Sequence, residues 1–296
     1  MNAPLKTDFH LSLPAYSQLL CQYDPQHRAL WYYMNPEPRS CFTFVLLEEI
    51  RDLQKRVAGY LNGPEPVTDD IHYLIMASAT PRSFSLGGDL DLFVRLIQTR
   101  NRDSLYEYGR LCVEALFHNF TNLGIPSLTT ISLVQGMALG GGFEAALGKN
   151  VIIAERSAQM GFPEILFNLF PGMGAYSLLS RRIDPIRAEQ LLRSGAQHSA
   201  EEMWKTGIVD VLAPDGEGVH TANEFMRRHG RTRNGHLAIQ QVRQRLNPLT
   251  YQELLDVVEI WVDAALRLKP RDLRMMTRLV AAQERLETTE TEAVAA

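Results

Sequence analysis

The spacing of apolar residues predicts helices and strands in alternation over the first two thirds of the chain. Between Leu46 and Leu61 apolar residues recur every three or four positions, the period of one helix face, so we predict a helix over 41–61. Asn62-Gly63-Pro64 ends it, because glycine and proline commonly follow a helix. Short runs rich in aromatic or β-branched residues predict four buried strands, at 29–34, 71–76, 128–134 and 151–154. Further helices are predicted at 90–99, 104–121 and 143–147.

Beyond about residue 212 the pattern is helical only. Helices are predicted at 219–229, 235–246, 250–267 and 271–287, and the polar end TTETEAVAA is expected to fray. Strands interleaved with helices and followed by a helical tail indicate an α/β core with a C-terminal helical region. We therefore divide the chain into an N-terminal extension (1–27), an α/β core (28–212) and a C-terminal helical region (213–296).

Composition narrows the class of protein. The chain has 296 residues, 45% hydrophobic and 22% charged, with a net charge of −4, which is ordinary for a globular protein and gives no general attraction to nucleic acid. Cys21, Cys41 and Cys112 are odd in number and far apart, which favours a reducing compartment. No apolar run approaches the roughly 18 residues of a membrane-spanning helix. We expect a cytoplasmic protein with neither nucleic acid nor membrane as a partner.

Several familiar motifs fail on spacing. The glycines after the strand at 128–134 fit only part of G-x-G-x-x-G, with Ala145 at the last position and no matching acid further on. No phosphate-binding GxxxxGK[ST] loop occurs, and neither HExxH nor CxxC is present, so metal catalysis has no support. The basic run from Arg227 to Arg233 has two interpretations: a solvated helix end, or a docking patch for an acidic partner formed by Arg227, Arg228, Arg231 and Arg233.

Two glycine turns each follow a predicted strand and precede a predicted helix. They are Gly87-Gly88-Asp89 and Gly140-Gly141-Gly142. Backbone N–H groups at a helix N-terminus have no partner within the helix, and without a Cβ they can approach a ligand oxygen closely. Two such groups at one point would form an oxyanion hole. Either turn alone would be explained as well by tight packing.

Two glutamates follow the second glycine turn in apolar surroundings. Glu144 lies between Phe143 and Ala145, and Glu164 lies between Pro163 and Ile165. Apolar surroundings raise a carboxyl pKa, so such a pair could remove one proton and deliver another near neutral pH. The alternative for both is an acid in the first turn of a helix, where the helix dipole favours it.

The stretch VQGMALGGGFEAALGKNVIIAERSAQMGFPEILFNLFPGMGAYSLLSRRI, together with SFSLGGDL, resembles the crotonase (enoyl-CoA hydratase/isomerase) superfamily. The resemblance covers about residues 70–212. It implies a spiral of ββα repeats, a C-terminal helical region that serves in trimer assembly and covers the pocket, and an oxyanion hole for a thioester carbonyl. It places the N–H groups of that hole at Gly88 and Gly141 and the catalytic carboxylates at Glu144 and Glu164. Many members lack one or both glutamates, so their presence favours hydration or dehydration.

Within the superfamily, LGGDLDLF, GFPEILFNLFPGMGAYS and EIWVDAALRL are similar to the diffusible signal factor (DSF) synthases of bacterial quorum sensing. This implies dehydration of a 3-hydroxyacyl thioester on acyl carrier protein, hydrolysis of the cis-2-enoyl product to the free fatty acid, and no cofactor. Leu139, Met173 and Trp261 are candidates for the acyl pocket, although helical periodicity alone would make Trp261 a core residue. The alternatives are a general enoyl-CoA hydratase/isomerase, for which the carrier would be coenzyme A, and a regulatory binding partner of a sensor protein.

The resemblance also implies partners. Some DSF synthases are held by the receiver domain of a sensor kinase, and superfamily members assemble as homotrimers or as dimers of trimers. We therefore expect acyl carrier protein, a receiver domain and further copies of this chain as candidate partners.

Overall fold

The computed structural model describes residues 9–63 and 70–294, without the side chains of His10, Leu11 and residues 283–294. Within these residues ten strands form two sheets. The strands are β1 (Leu19–Asp24), β2 (Ala29–Met34), β3 (Tyr73–Ser78), β4 (Ser83–Ser85), β5 (Thr129–Val134), β6 (Met137–Leu139), β7 (Val151–Glu155), β8 (Gln159–Gly161), β9 (Gln197–Ser199) and β10 (Val211–Ala213).

The larger sheet has the order β1-β2-β3-β5-β7-β10, with every pair parallel except β1 and β2. All six residues of β5 are buried, as expected for a parallel strand that is covered on both faces. The smaller sheet has the order β4-β6-β8-β9, with only the β8–β9 pair antiparallel.

The two sheets are built by a repeating path of the chain. In each of three turns a long strand of the larger sheet leads directly into a three-residue strand of the smaller sheet and then into helical structure: β3 to β4, β5 to β6, and β7 to β8. This arrangement confirms the predicted α/β spiral of ββα repeats, and it carries each short strand toward one region of the molecule.

Eleven α-helices lie within the described residues. They are α1 (Phe44–Leu61), α2 (Leu90–Gln98), α3 (Arg102–Phe120), α4 (Gly141–Leu147), α5 (Ala175–Leu179), α6 (Pro185–Ser194), α7 (Ala200–Lys205), α8 (Gly218–Arg231), α9 (Arg233–Leu246), α10 (Tyr251–Ala265) and α11 (Pro270–Val294). The last four confirm the predicted helical C-terminal region. The helix α11 runs through much of the polar end that was expected to fray, so that expectation was wrong up to Val294.

The predicted strands and helices match the structure to within a few residues, apart from this last helix. The pattern did not predict β1, which lies inside the proposed N-terminal extension and pairs with β2 along its whole length. Its residues alternate only weakly between buried and exposed, because β1 is an edge strand. It also missed β4, β6, β8, β9 and β10, which are three residues long and carry no readable periodicity, and the helices α5, α6 and α7.

The larger sheet separates two apolar cores. Tyr73, Ile75 and Ala77 of β3 pack on one side with Met226 of α8. The intervening residues Leu74 and Met76 point into the main core, which contains α1, α3 and α10. Since successive side chains of a strand point to opposite faces, α8 covers the face of the sheet that is turned away from the main core. No helix in the described ranges is long and apolar enough to cross a membrane.

Candidate active site

A cavity of about 240 Å³ lies in the main core. Its wall contains every site residue that the sequence predicted: Gly88, Leu139, Gly141, Glu144, Glu164, Met173 and Trp261. Most of the remaining wall is aliphatic or aromatic. The structure therefore brings together two glycine turns and two glutamates that are up to 76 positions apart in the sequence (88 to 164).

The two glycine turns lie side by side because β4 and β6, which precede them, are neighbouring parallel strands. A Cβ placed on Gly141 would be 3.5 Å from the amide nitrogen of Gly88. Gly141 is the first residue of α4, so its N–H has no partner within the helix. Within the described ranges neither this N–H nor that of Gly88 donates a backbone hydrogen bond. Two N–H groups in adjacent turns are the kind of donor pair that an oxyanion hole uses.

The first residue of the second glycine turn, Gly140, must be glycine. Gly140 has φ +52° and ψ −123°, a conformation essentially confined to glycine. A Cβ there would lie 2.3 Å from Oε1 of Glu164. Its N–H donates to Gly161 O at 2.9 Å, which ties the turn to β8 just before Glu164. The absence of a side chain at Gly140 therefore leaves the space beside the glycine turn that the Glu164 carboxyl group occupies.

The Glu144 side chain is held by two backbone donors. It lies in the first turn of α4, and its Oε1 accepts hydrogen bonds from the N–H groups of Met173 (2.8 Å) and Ala175 (2.9 Å). Glu144 is only 2% exposed. Burial raises its pKa to about 7, although the two N–H groups act in the opposite direction by stabilising the carboxylate.

Glu164 lies in the first turn of a 3₁₀ helix, Pro163–Phe167, with proline at the position that favours helix entry. Its Oε2 is buried and has no hydrogen-bond partner within the described residues. Burial, and after it the charge of Glu144, raise the pKa of Glu164 to about 8. Two carboxyl groups with pKa values near neutrality can exchange roles as acid and base.

The three predicted acyl-pocket residues all line the cavity. Leu139 precedes the second glycine turn, and Met173 lies in the loop whose N–H holds Glu144. Trp261 of α10 is 2% exposed and contacts Phe93 edge-on, with ring centroids 5.1 Å apart. Its core position and its place in the cavity wall are therefore compatible, since the wall is itself part of the core.

Sequence analysis missed several residues of the wall. Tyr108, Cys112, Leu116 and Asn119 follow one face of α3, and Leu279 of α11 lies on the other side. The spacing of the first four at 4, 4 and 3 residues is a helix face, which the sequence does contain but which periodicity cannot tell from ordinary core. The sequence could not predict that the N–H groups of Met173 and Ala175 contact Glu144, because every residue except proline has this donor and side-chain patterns do not show where it points.

The arginine run lies elsewhere. Arg227, Arg228 and Arg231 belong to α8, and Arg233 begins α9. Arg227 is paired with Glu224 at 2.6 Å, and Arg233 donates to the carbonyl of Ser127. Because α8 covers the face of the large sheet opposite the main core, this patch is separated from the cavity by the sheet.

Comparison with known proteins identifies the family. The family model for enoyl-CoA hydratase/isomerase matches residues 65–264. Among curated proteins, the fatty acid oxidation complex subunit alpha of Pseudomonas syringae pv. tomato is 34% identical over 133 residues, which are 45% of this chain and 18% of that protein. A homologous subunit from Pseudomonas savastanoi is 33% identical over 142 residues, 48% of this chain and 19% of its own. The chain thus matches about a fifth of the length of these relatives.

Solved structures show the same fold. An enoyl-CoA hydratase/isomerase from Xanthobacter autotrophicus has a TM-score of 0.71 at 20% identity, covering 94% of this chain and 98% of the other. Pseudomonas aeruginosa DspI has a TM-score of 0.65 at 23% identity, covering 88% of this chain and 98% of the other. With the family model matched across two thirds of the sequence, the chain belongs to the enoyl-CoA hydratase/isomerase family, the crotonase superfamily.

Proposed function

We propose that this protein dehydrates a 3-hydroxyacyl thioester carried by acyl carrier protein and then hydrolyses the cis-2-enoyl product to a free fatty acid that acts as a quorum-sensing signal. The observation that carries the dehydration is the pair of buried carboxyl groups of Glu144 and Glu164 in one cavity with the N–H groups of Gly88 and Gly141. The carrier and the hydrolysis are supported by the sequence similarity to DSF synthases.

Dehydration follows from this arrangement. The thioester carbonyl oxygen accepts hydrogen bonds from Gly88 and Gly141, which stabilise the enolate formed when a proton leaves Cα. One ionised glutamate takes that proton. The other glutamate, protonated, gives its proton to the hydroxyl on Cβ, which leaves as water while the Cα–Cβ double bond forms. The reaction moves protons and a hydroxyl group, so it needs no redox cofactor.

At a pH between the two pKa values, the coupled pair of Glu144 and Glu164 holds a single proton. Two N–H groups stabilise the carboxylate of Glu144 while Oε2 of Glu164 has no partner in the described chain, which favours the carboxylate form at Glu144 and the protonated form at Glu164. One carboxyl and one carboxylate are the forms that the elimination requires. We assign the acid and base roles to the pair as a unit.

Hydrolysis uses the same groups again. Water attacks the thioester carbon while a glutamate carboxylate takes its proton, and the oxyanion of the tetrahedral intermediate lies between the two glycine N–H groups. The C–S bond then breaks, the carrier thiolate takes up a proton, and the free acid leaves. The apolar wall of the cavity favours a fatty tail over a polar substrate.

The test is incubation of the pure protein with a 3-hydroxyacyl carrier protein, followed by mass spectrometry of the products. We expect free cis-2-enoic acid from the native chain and none from Glu144→Ala or Glu164→Ala. Mass spectrometry of acids released by cells with the intact gene or the Glu144→Ala gene gives the matching result in vivo. Rapid hydration of crotonyl-CoA with no free acid would overturn the proposal.

A second candidate function is that of a general enoyl-CoA hydratase/isomerase with coenzyme A as the carrier. It is favoured by the family and by the relatives, which are named as fatty acid oxidation complex subunits. A third is a regulatory complex with a sensor protein such as a receiver domain, which can coexist with catalysis. Intact signal production by both alanine variants in cells would favour that third function.

The assembly and the division of the chain are part of the proposal. Ile239, Val242 and Leu246 form an exposed apolar stripe on α9, which supports burial against another copy in a homotrimer or a dimer of trimers. Leu279 and Ala282 of α11 line the cavity, which supports a covering role for residues 213–296. We place the protein in the cytoplasm, where its three free cysteines stay reduced.

A further inference from the structure

One face of α3 lines the cavity from the oxyanion glycines to its closed end. Tyr108 lies at the near end, since its Oη would be 3.6 Å from a Cβ on Gly88. Cys112 follows one turn later, where burial and the charge of Glu144 raise its thiol pKa. Ala115, Leu116 and Asn119 continue the same face. From residue 108 to residue 119 a helix rises by about 16 Å.

The two ends of the cavity differ in exposure. Along α3 the wall is completed by buried residues of α1 and β3, namely Leu47, Ile50 and Met76, each 2% exposed, and it ends at Asn119, which is 5% exposed. At the other end Leu166 is 53% exposed and Gln197 is also exposed. The α3 end is therefore closed, and a chain whose thioester lies at the glycines extends its tail toward Asn119.

Asn119 is a polar residue at an apolar dead end. It is 5% exposed, and its Oδ1 has no hydrogen-bond partner within the described residues. Its side-chain amide neighbours the Tyr32 hydroxyl and acts on it as a hydrogen-bond donor. The Tyr32 hydroxyl in turn accepts a hydrogen bond from Lys149 Nζ at 2.7 Å. An apolar chain that pushed further would have to displace an amide held by this network.

Lys149 explains why the network is rigid. It is 2% exposed, and burial lowers its pKa well below the usual range. Its Nζ also lies 5.3 Å from the centre of the Tyr32 ring. A buried amine with a hydroxyl partner is costly to disturb, because the group would lose the hydrogen bond that compensates its burial. Lys149 and Tyr32 are thus positioning residues for the amide of Asn119.

We propose that Asn119, anchored by Tyr32 and Lys149, closes the acyl channel and sets the length of the chain that this protein accepts. A C–C bond of about 1.5 Å advances an extended chain by roughly 1.3 Å, so about 16 Å holds on the order of a dozen carbons. This inference rests on the proposed function for the class of substrate. It adds the residue that determines chain length, and Ala115 as the wall residue one helical turn nearer the carboxyl groups.

The test is a chain-length profile with acyl thioesters of 6 to 16 carbons, measured both as turnover of the 3-hydroxyacyl series and as binding of the saturated acyl series by calorimetry. Asn119→Ala is expected to move the optimum to longer chains, and Ala115→Leu to shorter ones. Each methylene that fits or fails to fit an apolar pocket changes kcat/KM by about tenfold or more, so the ratio of long to short substrates is the readout. His118→Ala, next to Asn119 but absent from the wall, is the matched control.

Opposite shifts by the two variants support the assignment, because general damage to the fold would lower all chain lengths alike. If Asn119→Ala changes the activity at all chain lengths by the same factor and leaves the optimum in place, the assignment of Asn119 is overturned. A different result is that the native protein binds saturated acyl chains with an optimum length, and Asn119→Ala moves that optimum to longer chains, while the native protein turns over no thioester. In that case the channel assignment stands and the proposed function fails. If turnover is rapid but neither variant shifts the chain-length profile, the proposed function stands and the channel assignment fails.

Discussion

The carboxylates of Glu144 and Glu164 interact: burial, and after it the charge of Glu144, raises the pKa of Glu164 to about 8. Glu144 accepts two backbone hydrogen bonds, whereas Oε2 of Glu164 accepts none within the described chain. The difference separates two chemically identical side chains into one that ionises more readily and one that keeps its proton.

This relationship predicts the effect of removing one charge. In Glu144→Gln the amide oxygen can still accept the hydrogen bonds from Met173 and Ala175, so the variant should fold. Turnover should fall by about 10²-fold or more, since one proton-transfer group is lost. The pKa of Glu164 should fall, because its charged neighbour is gone, and NMR titration of the carboxyl carbon measures it. Glu107→Gln, on the surface beside Arg110, is the control and should leave both unchanged.

The pair also predicts the pH dependence of the rate. One proton on the two carboxyl groups is the active form, and this form is most populated between the apparent pKa values of about 7 and about 8. We expect a bell-shaped profile of kcat/KM with its maximum in that interval. A rate that rises steadily to pH 10 would show that no protonated carboxyl takes part.

The stability of this protein should depend on pH in the opposite sense to that of a protein whose carboxyl pKa values are lowered by folding. Both pKa values are raised above the ordinary glutamate value of 4.5, so the folded state binds protons that the unfolded state releases between pH 4.5 and about 8. The free energy of unfolding therefore decreases as pH rises through that window and levels off above it. Glu164→Gln should remove part of the slope and stabilise the protein at pH 8.5 by about 2–4 kcal/mol. Urea unfolding at pH 5 and 8.5 measures this; an unchanged slope would contradict the assigned pKa.

Gly140 should tolerate no side chain. Gly140→Ala places a Cβ 2.3 Å from Glu164 Oε1 at a positive φ, so it should displace the carboxyl group and lower turnover by about 10²-fold. Gly207→Ala is the matched control, because Gly207 also has positive φ (+80°) but nothing lies within 4 Å of its Cβ. The control should lose only about 1 kcal/mol of stability and keep its activity. Equal activity of the two variants would refute this role of Gly140.

The arginine patch is open to a direct test. Because the large sheet lies between α8 and the cavity, the double variant Arg228→Glu, Arg231→Glu should leave KM for a carrier-protein thioester within about twofold of the native value. Steady-state kinetics with the carrier-protein substrate and with its coenzyme A analogue make the comparison. A rise in KM for the carrier-protein substrate alone would restore the patch as its docking surface.

Sequence periodicity predicted most of the long elements, although not the ten-residue helix α6. The α1 helix and the strands β2, β5 and β7 follow from local spacing, because each buries one stripe or both faces in a single core. The short strands of the smaller sheet did not, since three residues contain less than two periods of alternation. β1 was missed for another reason: an edge strand buries little, so its sequence is under weak constraint.

The sequence by itself determined which groups carry the chemistry: two glycine turns and two glutamates in apolar surroundings, each written in a contiguous motif. Only the tertiary structure decided that these groups share one cavity and that α3 extends the wall to Asn119. It also decided that Glu144 is held by Met173 and Ala175, while Oε2 of Glu164 has no partner among the described residues. The physical reason is that pKa values and channel length depend on distances between segments far apart in the chain. Local composition fixes the donors and acids, whereas the packing of the two sheets and α3 fixes what surrounds them.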